Sequence, residues 1–316
     1  MHFLTRSLLP LAALALATAQ LSAADTIEIK QRWPIGKKFS QAMNMVQSST
    51  VTLGPTKMEQ KVNMTMEMST AVTKHEDGKQ KRLTVKYERM AMQMDMNGQK
   101  MGFDSAKPED DPQGIGKAVG GVVGKDLKML ANEKDEITAV ENFEEFSAAA
   151  GGAGSSPFGQ MFSKDSMLDM MKQGSLHGLP GKPVKAGDSW PFNYTVKMPQ
   201  LGAVTIKGTY TLKGVSPHAG VPCAEIAMDG TLGIEFNDVS KSADAAGPLA
   251  ALGMKMSGGK MSGTVWFDTA LGMARDSDFT QQMEMSMKNP AQPDTTMTIP
   301  MTQQMKLSLT KIEDVK

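Results

Sequence analysis

The chain has 316 residues, and its 34 Lys and Arg balance 34 Asp and Glu. That neutrality excludes the basic field of a nucleic-acid binder and the acidic tail of a solvating segment. One cysteine, Cys223, excludes an internal disulfide, and 29 methionines stand against eleven Phe, three Tyr and three Trp.

The first 24 residues read as a signal peptide. Arg6 gives a positive start, and residues 8–19 form an apolar run too short to span a bilayer. Small residues allow cleavage after Ala19 or after Ala24, and the second site is preferred. No cysteine follows the run, so no lipoprotein acylation site is present. The expectation is an exported protein, periplasmic or secreted, with no transmembrane span in the mature chain. A lone cysteine in such a protein is expected in a core.

The mature chain opens with a short alternating strand, Thr26-Ile-Glu-Ile, and a turn through Trp33-Pro-Ile-Gly. Phe39, Met43, Met45 and Val51 then share one parity, the period of a strand. Gly54-Pro55 breaks the run. Over 61–72, Val62, Met64, Met66, Met68 and Val72 alternate with polar residues, which predicts one apolar and one wet face. Leu83, Val85 and Tyr87 fall on odd positions, whereas Met90, Met92, Met94 and Met96 fall on even ones. A slip of one residue would turn one set to the wrong face, so a β-bulge is predicted at Glu88-Arg89. Asn97-Gly98 tolerates the positive φ of a tight hairpin turn.

Residues 104–113 read as an acidic loop without a calcium-loop pattern. The spacing of Ile115, Val119 and Val122 predicts a glycine-weakened helix over 114–123. Residues 127–130 and 137–140 predict a hairpin. Residues 147–156 are small and low in complexity, as a linker is. Residues 157–172 predict a helix carrying Phe158, Phe162, Met167 and Met171. Further strands are expected at 194–198, 204–212, 224–228 and 232–236, followed by a small-residue loop over 240–259. A long hairpin over 263–287 brings Met283 and Met285 onto one parity with Phe279. In the last strand, 296–312, Lys306 and Lys311 would blunt an edge.

Lys185-Ala-Gly-Asp-Ser-Trp190 repeats the order of Ile35-Gly-Lys-Lys-Phe39: a glycine, two polar residues, an aromatic, then a strand. This reads as a weak internal duplication. The division is a signal peptide over 1–24, an N-terminal β half over 25–146, a linker with a short helix over 147–182, and a C-terminal β half over 183–316. The fold class is mainly β: a strongly curved antiparallel sheet or open half-barrel, built as one sheet or two related halves, with one or two short helices on the concave face.

No catalytic constellation emerges. His75, His177 and His218 stand apart, and no CxxC, HExxH, GxSxG or P-loop occurs. No cofactor is expected, and the chain does not read as an enzyme. The methionines admit three readings. They pack a core; they line an adaptable cavity, since Met repacks around variable partners; or their Met-x-Met runs bind Cu(I) or Ag(I), for which thioethers are soft ligands.

The motifs Gly36-Lys-Lys-Phe39, Tyr87-Glu-Arg-Met90, Asp104-Ser-Ala-Lys-Pro-Glu109, Pro183-Val-Lys-Ala-Gly-Asp-Ser-Trp190 and Gly263-Thr-Val-Trp-Phe-Asp268 resemble a family of uncharacterised exported β proteins of Gram-negative-type bacteria. That resemblance supplies no catalytic residues. More loosely, long strands closed by short helices resemble the open-barrel lipoprotein carriers of the bacterial envelope. The leading expectation is a non-enzymatic envelope protein that holds an apolar ligand, a lipid or acyl chain, in a Met-lined cavity. Its lining is expected from Met64, Met66, Met68, Met90, Met92, Met94, Met96, Met283 and Met285, covered by Phe158, Phe162, Met167 and Met171. The alternatives are a structural or protein-interaction module with a Met-rich core, and Cu(I) handling.

Overall fold

Alternating apolar and polar residues build long antiparallel strands, and hairpin turns connect nearly all of them. The computed structural model describes residues 26–53, 56–111, 116, 120–149, 164, 168, 179–198, 202–236, 255–289 and 292–315. The strands are β1 (Lys37–Leu53), β2 (Thr56–Lys74), β3 (Lys81–Met96), β4 (Gln99–Asp104), β5 (Asp126–Ala131), β6 (Ile137–Val140), β7 (Ser189–Met198), β8 (Gly202–His218), β9 (Val221–Phe236), β10 (Lys255–Asp268), β11 (Met273–Asn289) and β12 (Gln292–Asp314). One helix, α1 (Phe143–Ala149), follows β6, with Glu144 and Glu145 at its positive end.

All twelve strands form one sheet in the order β6-β5-β3-β2-β1-β12-β11-β10-β9-β8-β7, with β4 paired to β3. The C-terminal half is a plain meander from β7 to β12. The antiparallel pairing of β1 with β12 joins it to the N-terminal half. Strands β6 and β7 end the path and do not pair with each other among the described residues, so the sheet is open.

The bulge expected at Glu88-Arg89 is present. Glu67 pairs with Arg89 and Met68 with Tyr87, leaving Glu88 as the extra residue. Leu83, Val85 and Tyr87 therefore share a face with Met90, Met92 and Met94. Asn97 and Gly98 adopt φ of 51° and 87° and close the β3–β4 hairpin as expected.

Residues 26–36 cross one end of the sheet as a strap. Ile27 exchanges backbone hydrogen bonds with Val184, the Arg32 N–H donates to the Gly272 carbonyl, and the Gly36 N–H donates to Val72. The Trp33 N–H donates to Asp135 Oδ1 at 2.9 Å. Gly272 has a φ of 77°, and a Cβ there would lie 2.5 Å from Cβ and Cγ of Arg32, so only glycine lets the strap lie this close.

Three apolar clusters lie on one face near the strap. The first joins Leu83, Leu127, Met129, Val140, Phe143 and Phe146. The second joins Ile29, Val184, Trp190, Leu212, Ile226 and Phe267. The third, Phe39, Val72 and Met273 with Trp33 against it, sits between them.

Several expectations need correction. The segment Thr26-Ile-Glu-Ile forms a single β-bridge rather than a strand, because it crosses strand ends instead of running beside a strand. Residues 224–228 and 232–236 belong to one strand, β9, and β10 starts inside the expected small-residue loop, at Lys255. Helix α1 was not expected. Residues 114–123 contain a short 3-10 turn at Gly120–Val122, and most of the rest lies outside the described residues. Strand β12 is central, so Lys306 and Lys311 protect no edge.

Candidate functional site

The face that carries the core clusters continues along the strands as a grid of methionines. Met92, Met64, Met45 and Met305 stand directly side by side on β3, β2, β1 and β12, and Phe279 on β11 extends the row. The neighbouring row toward the strap is Met90, Met66, Met43 and Leu307. Met68 lies between Gln41 and Tyr87, and Met94 lies between Val62 and Met101. Directly opposed side chains have Cβ atoms about 5 Å apart, so these thioethers form a continuous surface.

Burial separates this grid from the core. Met129, Met228 and Met273 are at most 5% exposed. The grid methionines are half-buried, and Met96, at the β3–β4 hairpin tip, is 42% exposed. Met283 pairs with Met301 and Met285 with Ile299, on the same face but across β1 and β12 from the β2–β3 methionines. The structure thus brings Met64, Met66, Met68, Met90, Met92, Met94 and Met96 onto adjacent strands. It sets Met283 and Met285 farther along the same surface. Phe158, Phe162, Met167 and Met171 lie outside the described residues. Leu168, from the same stretch, packs against the first core cluster.

Two parts of the surface were missed. Met301 and Met305 join the grid because β12 lies between β1 and β11, a pairing that strand alternation does not encode. A transverse row of glutamines, Gln47, Gln303 and Gln281, also crosses β1, β12 and β11. Its parity was readable, but only the register aligns it. The face positions Leu83 to Tyr87 and Met90 to Met96 on β3, and their partners on β2, β1, β12 and β11, carry no Asp, Glu, Lys or Arg apart from the bulged Glu88. At the C-terminal side the face becomes aromatic. The Phe192 and Tyr210 rings lie 4.6 Å apart, and Phe192 packs over Gly208 and Gly230, where a Cβ would meet its Cζ at 2.6 and 3.0 Å. Burial pushes the Tyr210 hydroxyl up to about 12.

Among the described residues, ion pairs lie on the opposite face, at strand ends and at bulges. Arg89 donates to both oxygens of Asp104, at 3.0 and 2.7 Å, and also reaches Glu67. The Arg89 guanidinium holds the Asp104 carboxyl down at about 2. His218 stacks on Trp266 and meets Asp276 at 2.6 Å. Cys223 is buried, as expected, and burial raises its thiol pKa. A polar cleft of about 500 Å³ lies at the far end of β1 and β2, lined by Ser48, Lys57, Glu59, Lys61, Asp95 and Asn97. Among the described residues, no three His, Cys, Asp or Glu side chains gather as a metal site would require. No described helix is long and apolar enough to cross a membrane.

Residues 78–274 match the profile described as "Family of unknown function (DUF6263)". No curated protein matches the chain by sequence. Among solved structures, one of lipid–protein interactions in lipovitellin is similar at 9% identity and a TM-score of 0.49. The likeness covers 90% of this chain and 26% of the lipovitellin chain, so this chain spans about a quarter of that length. A domain assigned to outer-membrane lipoprotein sorting in Vibrio parahaemolyticus is similar at 6% identity and a TM-score of 0.16, over 87% of this chain and 85% of that one. The OccK7 protein of Pseudomonas aeruginosa is similar at 8% identity and a TM-score of 0.23, over 89% of this chain and all of that one. The chain belongs to the DUF6263 family.

Proposed function

We propose that this DUF6263 member is an exported, non-enzymatic binding protein that holds a lipid or acyl chain against its methionine face. The observation that carries this reading is the grid itself: rows of half-buried thioethers, continuous with the core yet distinct from it in exposure. A fully buried Met contributes about 1.5–3 kcal/mol relative to an exposed one, so each half-buried one leaves part of that gain to be recovered by an apolar cover. Met is also the side chain best suited to repack around chains of differing length and unsaturation. A lipid laid over the grid would remove this surface from water without displacing any ion pair.

Curvature of the sheet supports the same reading. Arg32 and Trp33 are consecutive, yet one bonds the β10–β11 turn and the other the β5–β6 turn. Their amide nitrogens are at most about 3.6 Å apart. In a flat sheet, β11 and β5 would be separated by five strand spacings, about 24 Å. A strongly curved sheet, closed at one end by the strap, reconciles the two distances. Helix α1 packs on the grid side of the sheet, with Phe146 6.2 Å from Tyr87. In this reading the curved sheet forms an open half-barrel with the helix in its concavity, and the signal peptide over 1–24 delivers the protein to the periplasm or beyond.

A second reading, a protein-interaction module, is favoured by one observation: the exposure of Met96 at the hairpin tip. Native mass spectrometry of the mature protein, purified from its own periplasm without detergent, separates the two. Lipid binding predicts a bound mass of lipid size whose fragments identify an acyl chain. A bare protein mass, unchanged after incubation with lipid, would contradict it and favour the interaction module.

A further inference from the structure

The glutamine row specifies what kind of lipid the face would hold, an inference that rests on the binding reading above. Gln47, Gln303 and Gln281 are direct neighbours on three central strands and half-buried, with Met64, Met45 and Met305 in the row on the strap side and Ser49, Met301 and Met283 in the row on the other. Their amides do not bond one another. Gln303 Nε2 lies against Met45 Sδ, and Gln47 and Gln281 reach Met301 Sδ and Met283 Sδ, each at 3.9 Å. Gln60, on β2, reaches Met94 Sδ at 3.6 Å.

A thioether is a weak acceptor, whereas each amide offers two donors and a carbonyl with two lone pairs. These partially desolvated amides therefore gain by exchanging sulfur for an oxygen of a ligand. The surrounding face positions are uncharged. An ionised headgroup placed there would lose water without gaining a counter-charge, which is strongly unfavourable. A neutral group that both accepts and donates hydrogen bonds fits both constraints. Pockets of this kind use a few placed polar groups to orient a mainly apolar ligand.

We infer that the site selects an uncharged amphiphile of the acylglycerol class, with its ester and hydroxyl oxygens on Gln47, Gln281 and Gln303 and its chain along the methionine rows. The strap-side rows, Met92–Met64–Met45–Met305 and Met90–Met66–Met43, lead the chain from the glutamines toward the buried clusters. Selectivity then comes from the glutamines and adhesion from the methionines.

Equilibrium dialysis of the mature protein against radiolabelled 1-oleoylglycerol and oleate, at about pH 9 where the acid is ionised, tests this. The wild type is expected to hold the neutral lipid at least about tenfold more tightly than oleate. The triple variant Gln47→Leu, Gln281→Leu, Gln303→Leu is expected to reduce that preference to about threefold or less while still retaining lipid. The single variant Gln303→Met, which preserves the side-chain length, is expected to fall between and guards against misfolding of the triple variant. Equal retention of both lipids by the wild type, or an unchanged preference in the variants, would overturn the glutamine assignment and leave the binding reading standing. Retention of neither lipid would remove the binding reading and this inference with it.

Discussion

Asp135 joins three parts of the chain through one carboxylate. It is 6% exposed, its Oδ1 accepts from the Trp33 N–H and pairs with the Lys81 ammonium, and its backbone sits at a φ of 67°. Asp and Asn tolerate that conformation better than most residues. Asp135→Ala removes one of the anchors of the strap and leaves Lys81 without its counter-charge, at an expected cost of about 3 kcal/mol. Asp135→Asn keeps the acceptor for Trp33 and should cost about half as much. Urea midpoints at constant m-value measure both. The Arg89–Asp104 pair gives a pH signature of the same scale. Its carboxyl is held at about 2 in the folded chain, by hydrogen bonds from Arg89 first and by the Ala106 amide second. In the unfolded chain the same group titrates near about 4. Its contribution is therefore complete above about pH 4 and is lost as pH falls through about 2, because the unfolded state binds the proton more readily. Asp104→Asn should flatten stability against pH in that window, as measured by denaturant titration at a series of pH values.

At the scale of the strand, the bulge in β3 separates two deletions that look alike in sequence. Glu88 is the unpaired residue between Tyr87 and Arg89. Deleting it brings the pairs Met68–Tyr87 and Met66–Met90 into one regular ladder, with both apolar sets still facing inward. The loss is then limited to the Glu88 contacts with Ser69 and Lys38, about 1–2 kcal/mol. Deleting Ala91 instead turns Met92, Met94 and Met96 to the polar face and should prevent folding or cost several times as much. Thermal unfolding of the two variants decides between these outcomes. The same parity argument marks how far the strands could be read. The facing of Met64 to Met68 and Met90 to Met96, and the bulge itself, follow from local alternation. The interior position of β12 does not, because pairing with β1 across more than 250 residues is set by the assembled sheet rather than by either strand's own pattern. Helix α1 escaped because seven residues starting at Phe143 look like the end of a hairpin followed by a small-residue linker.

At the scale of the whole molecule, the described residues of one mainly apolar face fall into two parts. Near the strap it is closed by Ile29, Trp33 and α1 and forms the core. Farther along it is a half-buried grid of Met and Gln. Most of that grid was legible in the sequence as methionine parity on β2, β3 and β11. What was not legible was its continuity, since Met45, Met305 and the glutamine row meet only through the β1–β12 seam. The difference in exposure between core and grid methionines gives the most direct test of a binding face. Methionine-methyl NMR on the mature protein, titrated with 1-oleoylglycerol, should shift the methyls of Met45, Met64, Met92 and Met305 while leaving those of the buried Met129 and Met273 in place. Unmoved grid methyls at saturating lipid, or shifts confined to the hairpin tip at Met96, would contradict a lipid-binding role for this face.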